Sequence, residues 1–231
     1  MREIVLDTET TGLDPASGDK IVEIGCVEIF NTIPTGQTFH VYLDPERDVP
    51  EEAFRVHGLS SEFLRGKKKF KDIAQEFLDF IVDSKLVIHN ADFDMRFLNS
   101  ELKSCGMEAI EKHRVVDTLV LARRKHPGSS NSLDALCSRY RIDNSKRTRH
   151  GALLDAEILA DVYVELSGGR QKNLTLQSDA PRSPLREIDQ VQEKLFREAP
   201  INSLLTGAEK TRHSELVKSL GEKSFWSKHL T

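Results

Sequence analysis

Ile4-Val5-Leu6-Asp7-Thr8-Glu9-Thr10-Thr11-Gly12, close to the start of the chain, runs from an apolar strand core into two carboxylates two positions apart and then a Thr-Gly turn. Side chains on a strand alternate between faces. Asp7 and Glu9 therefore project from one face, where a shared cation would relieve their mutual repulsion. A strand ending in polar residues and a turn also fits this segment taken alone, so the remainder of the chain has to decide.

Working outward, segments 20–30 and 38–43 read as two further strands, the first with clear alternation. A helix is predicted over 69–83, where Phe70, Ile73, Ala74, Phe77, Leu78 and Ile81 recur at the spacing of one buried face. Lys85 to His89 makes a short apolar strand. Asn90 then caps a helix carrying Phe93, Phe97, Leu98 and Leu102 that ends at Gly106. Val115 to Leu119 reads as a strand or a helix start, and helices follow near 131–140 and 152–166. Three strands followed by alternating strands and helices predict an α/β domain. Its mixed five-stranded sheet is an antiparallel meander extended at one edge by parallel crossovers and flanked by helices.

The 231 residues, 38% hydrophobic, suffice for one substantial domain and a smaller appendage. The absence of a long apolar stretch predicts a soluble, cytoplasmic protein with no membrane contact. Cys26, Cys105 and Cys137 form no C-x-x-C pair and read as buried reduced thiols. Charge is uneven: residues 1–169 carry 22 basic against 29 acidic side chains, and the remainder 11 against 8. An acidic domain does not hold nucleic acid by bulk electrostatics, so a polyphosphate substrate would need divalent cations and local basic clusters.

Two more segments carry chemistry. In His89-Asn90-Ala91-Asp92-Phe93-Asp94 a strand enters a helix whose first turn presents Asp92 and Asp94 near its positive end, and either could reach a cation. In Arg149-His150-Gly151-Ala152-Leu153-Leu154-Asp155-Ala156, Asp155 sits in the pattern of a largely buried helix. Burial there without a cation or strong donor would cost several kcal/mol. His150 precedes the helix on a Gly-containing loop, and an imidazole of ordinary basicity suits proton abstraction at neutral pH.

Together Asp7-Thr8-Glu9-Thr10-Thr11-Gly12, His89-Asn90-Ala91-x-Phe93-Asp94 and His150-x-x-x-x-Asp155-Ala156 resemble, in order and character, the three motifs of the DEDDh 3′→5′ exonucleases. Over about residues 2–167 the likeness is greatest to the proofreading exonucleases of bacterial DNA polymerase III. The resemblance implies a ribonuclease H-like fold and hydrolysis of frayed or single-stranded 3′ DNA ends to 5′-monophosphates. Asp7, Glu9, Asp94 and Asp155 would hold two Mg²⁺ or Mn²⁺ ions, with His150 as the base. The family pattern selects Asp94 over Asp92. Thr10 would contact the terminal nucleotide and Leu13 would wedge against its base. Glu52 and His57 would line the nucleotide site.

After Ser167-Gly168-Gly169 the composition turns polar, with Pro and Ser. The expected division is an exonuclease domain over 1–169, a linker over 170–186 and a flexible C-terminal tail over 187–231. About 45 residues are too few to bury a core alone, so the tail is expected to fold against a partner. The resemblance points to the polymerase III alpha subunit, with Phe225 and Trp226 at the interface. Gln171-Lys172-Asn173-Leu174-Thr175-Leu176 resembles the peptide that docks on bacterial sliding clamps. Arg123-Arg124-Lys125 and the pair Lys146 and Arg149 either track the strand or form solvated charge runs. Two further readings stay open: an RNA-trimming exonuclease of the same family, and a non-catalytic clamp and polymerase adaptor.

Overall fold

The computed structural model describes residues 1–145, 147, 149–168 and 205–220. The chain falls into two units, Met1–Leu176 and Gln177–Thr231. The first is built on five strands, β1 (Arg2–Thr10), β2 (Ile21–Phe30), β3 (Ile33–Tyr42), β4 (Lys85–Ile88) and β5 (Val115–Asp117), in the order β3-β2-β1-β4-β5. The pairs β1/β2 and β2/β3 are antiparallel, whereas β1/β4 and β4/β5 are parallel. This is the mixed five-stranded sheet expected from the element order. β1 lies at its centre, and its C-terminal end carries Asp7 and Glu9.

Seven helices of this unit follow in chain order: α1 (Glu51–His57), α2 (Ser61–Leu64), α3 (Phe70–Ile81), α4 (Ala91–Ser104), α5 (Thr118–Lys125), α6 (Leu133–Tyr140) and α7 (Ala152–Leu166). The parity of β1 sorts them into layers. Ile4 and Leu6 pack with Phe70, Ile73, Phe77, Phe97 and Leu98 of α3 and α4. Val5 packs with Ala156, Leu159, Ala160 and Tyr163 of α7. α5 and α6 in turn cover the outer side of α7 through Ala122, Leu136 and Cys137. Asp7 and Glu9 share the parity of Val5, which aims them at the α7 layer.

Three details depart from the sequence reading. β3 begins at Ile33 rather than 38, because its first half is an exposed, polar edge held by backbone pairing with β2 and not by alternation. Val115–Asp117 is strand and Thr118–Lys125 helix, so both alternatives hold in succession. The Asp117 carboxylate accepts the amides of Leu119 and Val120 and makes the switch. Asn90 does cap α4, but through a left-handed backbone (φ 63°) and without a side-chain hydrogen bond. All three cysteines are free thiols, and Cys26 and Cys137 are buried as expected, whereas Cys105 at the end of α4 is only partly so.

The second unit contributes α8 (Gly207–Ser219), started by a capping box in which Thr206 and Glu209 exchange hydrogen bonds. The clamp-like segment Gln171–Leu176, most of the linker and tail, and Phe225 and Trp226 lie outside the described residues. Among those described, no helix is long and apolar enough to cross a membrane.

Candidate active site

Three elements converge on the end of β1. Gly25 of β2 is the cross-strand partner of Asp7, and a methyl there would lie 2.2 Å from the backbone of Ala152 and Leu153. The missing side chain lets the first turn of α7 lie directly on the sheet. Asp155, one turn into α7 and only 3% exposed, is thereby delivered to Asp7 and Glu9. Asp94 arrives from α4 and is equally buried. One of its carboxylate oxygens accepts both the Thr8 amide at 3.1 Å and the Thr8 hydroxyl at 2.7 Å, pinning it to β1. Asp92 faces solvent, so the two aspartates of this turn are told apart by burial.

The loop before α7 completes the site. The His150 amide donates to the Val56 carbonyl on α1 at 3.2 Å, which fixes the loop while its side chain stays about half exposed. His150 Nδ1 lies 3.3 Å from Asp155 Oδ2. Ligand atoms of Glu9, His150 and Asp155 all fall within 4.8 Å of one another. Asp7, His150 and Asp155 border an open cavity of about 810 Å³, also lined by His89, Arg123 and His126.

Electrostatics show what this cluster lacks. Burial, reinforced by the charges of Asp94, Glu9 and Asp155, raises the Asp7 carboxyl well above the ordinary range. Burial and the nearby Asp155 and Glu23 push Glu9 up to about 8. Asp94 rises to about 7 through burial, against the lowering effect of the Thr8 hydrogen bonds. Carboxyls brought together at this cost call for a counter-cation. One positive group already stands there: Arg147 donates from Nε to Asp155 Oδ1 at 2.6 Å and from Nη2 to Asp155 Oδ2 at 2.7 Å. The all-oxygen carboxylate set suits a hard divalent ion such as Mg²⁺ or Mn²⁺.

The turn after β1 presents the remaining predicted residues. Thr10 Oγ1 donates to the Gly12 carbonyl at 2.6 Å, and the Thr11 amide bonds to the Lys20 carbonyl at 2.9 Å. Gly12 packs so tightly on the Asp19 carboxylate that a methyl would lie 2.2 Å from it. On this rigid turn Leu13 stands 78% exposed, an apolar side chain held out in water. His57 ends α1 and is buried. Its Nδ1 accepts the Leu59 amide at 3.0 Å, so Nε2 carries the proton, yet that nitrogen has no hydrogen-bond partner among the described residues. Desolvation lowers the basicity of this ring, against the opposing effect of the Thr10 backbone. Glu52 is exposed near the start of the same helix.

The structure thus brings Glu9, Asp155 and His150 within ligand reach of one another, while Asp7 and Asp94 lie outside that group but close enough for their charges to interact. Sequence reasoning missed three contributors: Thr8, Gly25 and Arg147. A glycine inside an apolar strand signals close backbone approach and could have identified Gly25. Arg147 had no such signal.

Comparison with known proteins places the chain. A family model described as Exonuclease matches residues 4–163. DNA polymerase III subunit epsilon of Rickettsia felis is 49% identical over 223 residues, covering 95% of this chain and 97% of that one. The Rickettsia conorii protein of the same name is 58% identical over 174 residues, 74% of this chain and 76% of its own. That of Escherichia coli is 52% identical over 176 residues, 73% and 72% of the two chains. Among solved structures, exonuclease X in complex with 5′ overhanging duplex DNA aligns with a TM-score of 0.55 at 25% identity, over 71% of this chain and 89% of that one. The nuclease domain of 3′hExo, a DEDDh family member bound to rAMP, shares the fold with a TM-score of 0.63 at 17% identity, over 72% and 91%. The chain is therefore a 3′→5′ exonuclease with the ribonuclease H-like fold, and it belongs to the DNA polymerase III epsilon subunits.

Proposed function

We propose that this chain removes mismatched 3′-terminal nucleotides from DNA as 5′-monophosphates, using the cluster at the end of β1 and two bound Mg²⁺ or Mn²⁺ ions. The observation that carries the reading is the convergence of Glu9, His150 and Asp155 within 4.8 Å, beside Asp7 and Asp94, whose carboxyls are raised above all by burial. Asp7, Glu9, Asp94 and Asp155 would hold the ions. Bound there, such ions supply charge neutralisation to the phosphoryl oxygens and to the attacking and leaving groups of an in-line displacement.

The chain's own residues do the rest. His150, on the rim of the cavity, takes a proton from the attacking water, and its half-exposed ring can pass that proton to solvent. Thr8 keeps Asp94 aimed through its two hydrogen bonds. The backbone at Thr10 and the buried Nε2–H of His57 receive the terminal nucleotide, with Glu52 of the same helix beside them. Leu13 wedges against the terminal base, and its rigid turn means that little ordering entropy is lost on contact. None of these groups reads a base edge, so sequence preference is small and mismatch preference follows from fraying.

In this reading residues 1–169 are the catalytic domain, Gln171–Leu176 within the 170–186 linker engages the sliding clamp, and 187–231 bind the polymerase alpha subunit at the replication fork in the bacterial cytosol. Full-length relatives named for DNA polymerase III support that association. For the chemistry, Asp155→Ala should abolish hydrolysis of single-stranded DNA in Mg²⁺ while circular dichroism shows the fold intact. Full activity in a folded Asp155→Ala protein would rule out Asp155 as a ligand.

A further inference from the structure

Arg147 occupies the atoms that a metal ion would need. Its side chain is 8% exposed, and the fork of Nε and Nη2 covers both oxygens of Asp155, which is itself 3% exposed. The same Nη2 lies 2.9 Å from His150 Nδ1, and Nη1 lies 2.7 Å from Asp134 Oδ1 on α6. A guanidinium cannot accept a hydrogen bond, so His150 Nδ1 spends its lone pair on Arg147 in this arrangement. One side chain therefore covers a carboxylate and the base together.

We propose that Arg147 is a displaceable counterion: it neutralises the acidic cluster before metal binds, and it must leave Asp155 and His150 for the ion-loaded site to form. This rests on the assignment of Asp155 as a metal ligand made above. A cation approaching Asp155 competes with the guanidinium for the same two oxygens, because both bind through the carboxylate lone pairs. The competition is reciprocal: whatever the ion pair contributes to the metal-free protein is subtracted from metal affinity. Asp134 is 61% exposed and lies outside the cluster, so it gives the departing guanidinium an anchor that does not itself compete for the ion. Arg147 is thus a positioning residue that sets the metal concentration at which the site assembles.

The test is calorimetric titration of Mn²⁺ into the full-length protein without nucleic acid, for wild type, Arg147→Gln, Arg147→Lys, Arg149→Gln and Asp155→Asn. Arg149 carries the same charge on the same loop but rests against the Phe54 ring, 5.7 Å from its centroid, and controls for the general field. The expected result is about fivefold or tighter Mn²⁺ binding for Arg147→Gln, at the low end of such couplings. Arg147→Lys should fall between it and wild type, since an ammonium cannot span both oxygens. Arg149→Gln should stay near wild type. In EDTA, Arg147→Gln should melt below wild type, and saturating Mn²⁺ should close that gap. Wild-type affinity in Arg147→Gln, or in Arg147→Lys should the former not fold, would overturn the proposal while leaving the metal site standing. Failure of wild type to bind Mn²⁺, or unimpaired binding by Asp155→Asn, would instead remove the ligand assignment and the proposal with it.

Discussion

Glu9 and Asp94 hold protons that most carboxyls have lost at neutral pH, with values near 8 and 7 against ordinary ones of 4.5 and 3.8. The sign of the consequence is set by which state binds more protons. The folded chain keeps protons that the unfolded chain releases, so this contribution to stability is complete below about pH 4 and is lost as the pH rises to about 8. Metal-free protein should therefore lose stability over that window, and chemical denaturation at a series of pH values in EDTA measures it. Ion binding expels the same protons. Mn²⁺ affinity should accordingly climb up to about pH 8, with proton release visible as a buffer-dependent heat in calorimetry. A pH-independent affinity would mean that these carboxyls are not ligands. At this scale the motif carboxylates and His150 were legible because alternation on a strand, burial in a helix and position on a loop each restrict what a residue can do. Arg147 was not, since its partners lie three, eight and thirteen residues away on and around an irregular loop, with no periodicity to report the contacts.

Elements enter through the contact of α7 with β2. α7 is apolar on most of its surface, and Ala156 and Ala160 form the small-residue stripe that lies on the sheet. Gly25 sets how closely its first turn can approach, and the space is already full. Gly25→Ala should destabilise the protein by about 2 kcal/mol, as overpacking of a tight contact does. Activity should fall further than stability, by about 100-fold, because Asp155 moves with the helix while Asp7 and Glu9 stay on β1. Thermal melts and single-strand hydrolysis at saturating Mg²⁺ separate the two effects. Equal and small losses in both would show that α7 can shift without consequence. α3, α4 and α7 were readable because each runs for three turns or more and repeats its buried face. α1 and α2 went unread for the opposite reason, having seven and four residues, too short for any period to emerge. The polar half of β3 was hidden likewise, its edge strand held by backbone bonds that leave no trace in side-chain pattern.

At the scale of the whole molecule, catalysis and assembly are assigned to different stretches of chain. Every residue of the cluster lies between Asp7 and Asp155, within the family match over 4–163. The proposed contacts with clamp and polymerase lie beyond it. Changing Leu174 and Leu176 to Ala should weaken clamp binding while leaving hydrolysis of free single strands at the wild-type rate, as surface resonance and gel assays would register. Unchanged clamp affinity would remove the motif. The sheet order was readable from the succession of strands and helices, because parallel neighbours need a crossover and antiparallel ones a short turn.

Metal-dependent excision by this site should favour a frayed 3′ end. The direct measurement compares degradation of end-labelled duplex DNA bearing a matched or mismatched 3′ terminus with degradation of an RNA oligomer of equal sequence, with and without Mg²⁺. Deoxynucleoside 5′-monophosphates should be released only with metal, and faster from the mismatched end. Preferential loss of RNA, equal rates at matched and mismatched termini, or no hydrolysis under any divalent metal would contradict the proposed function.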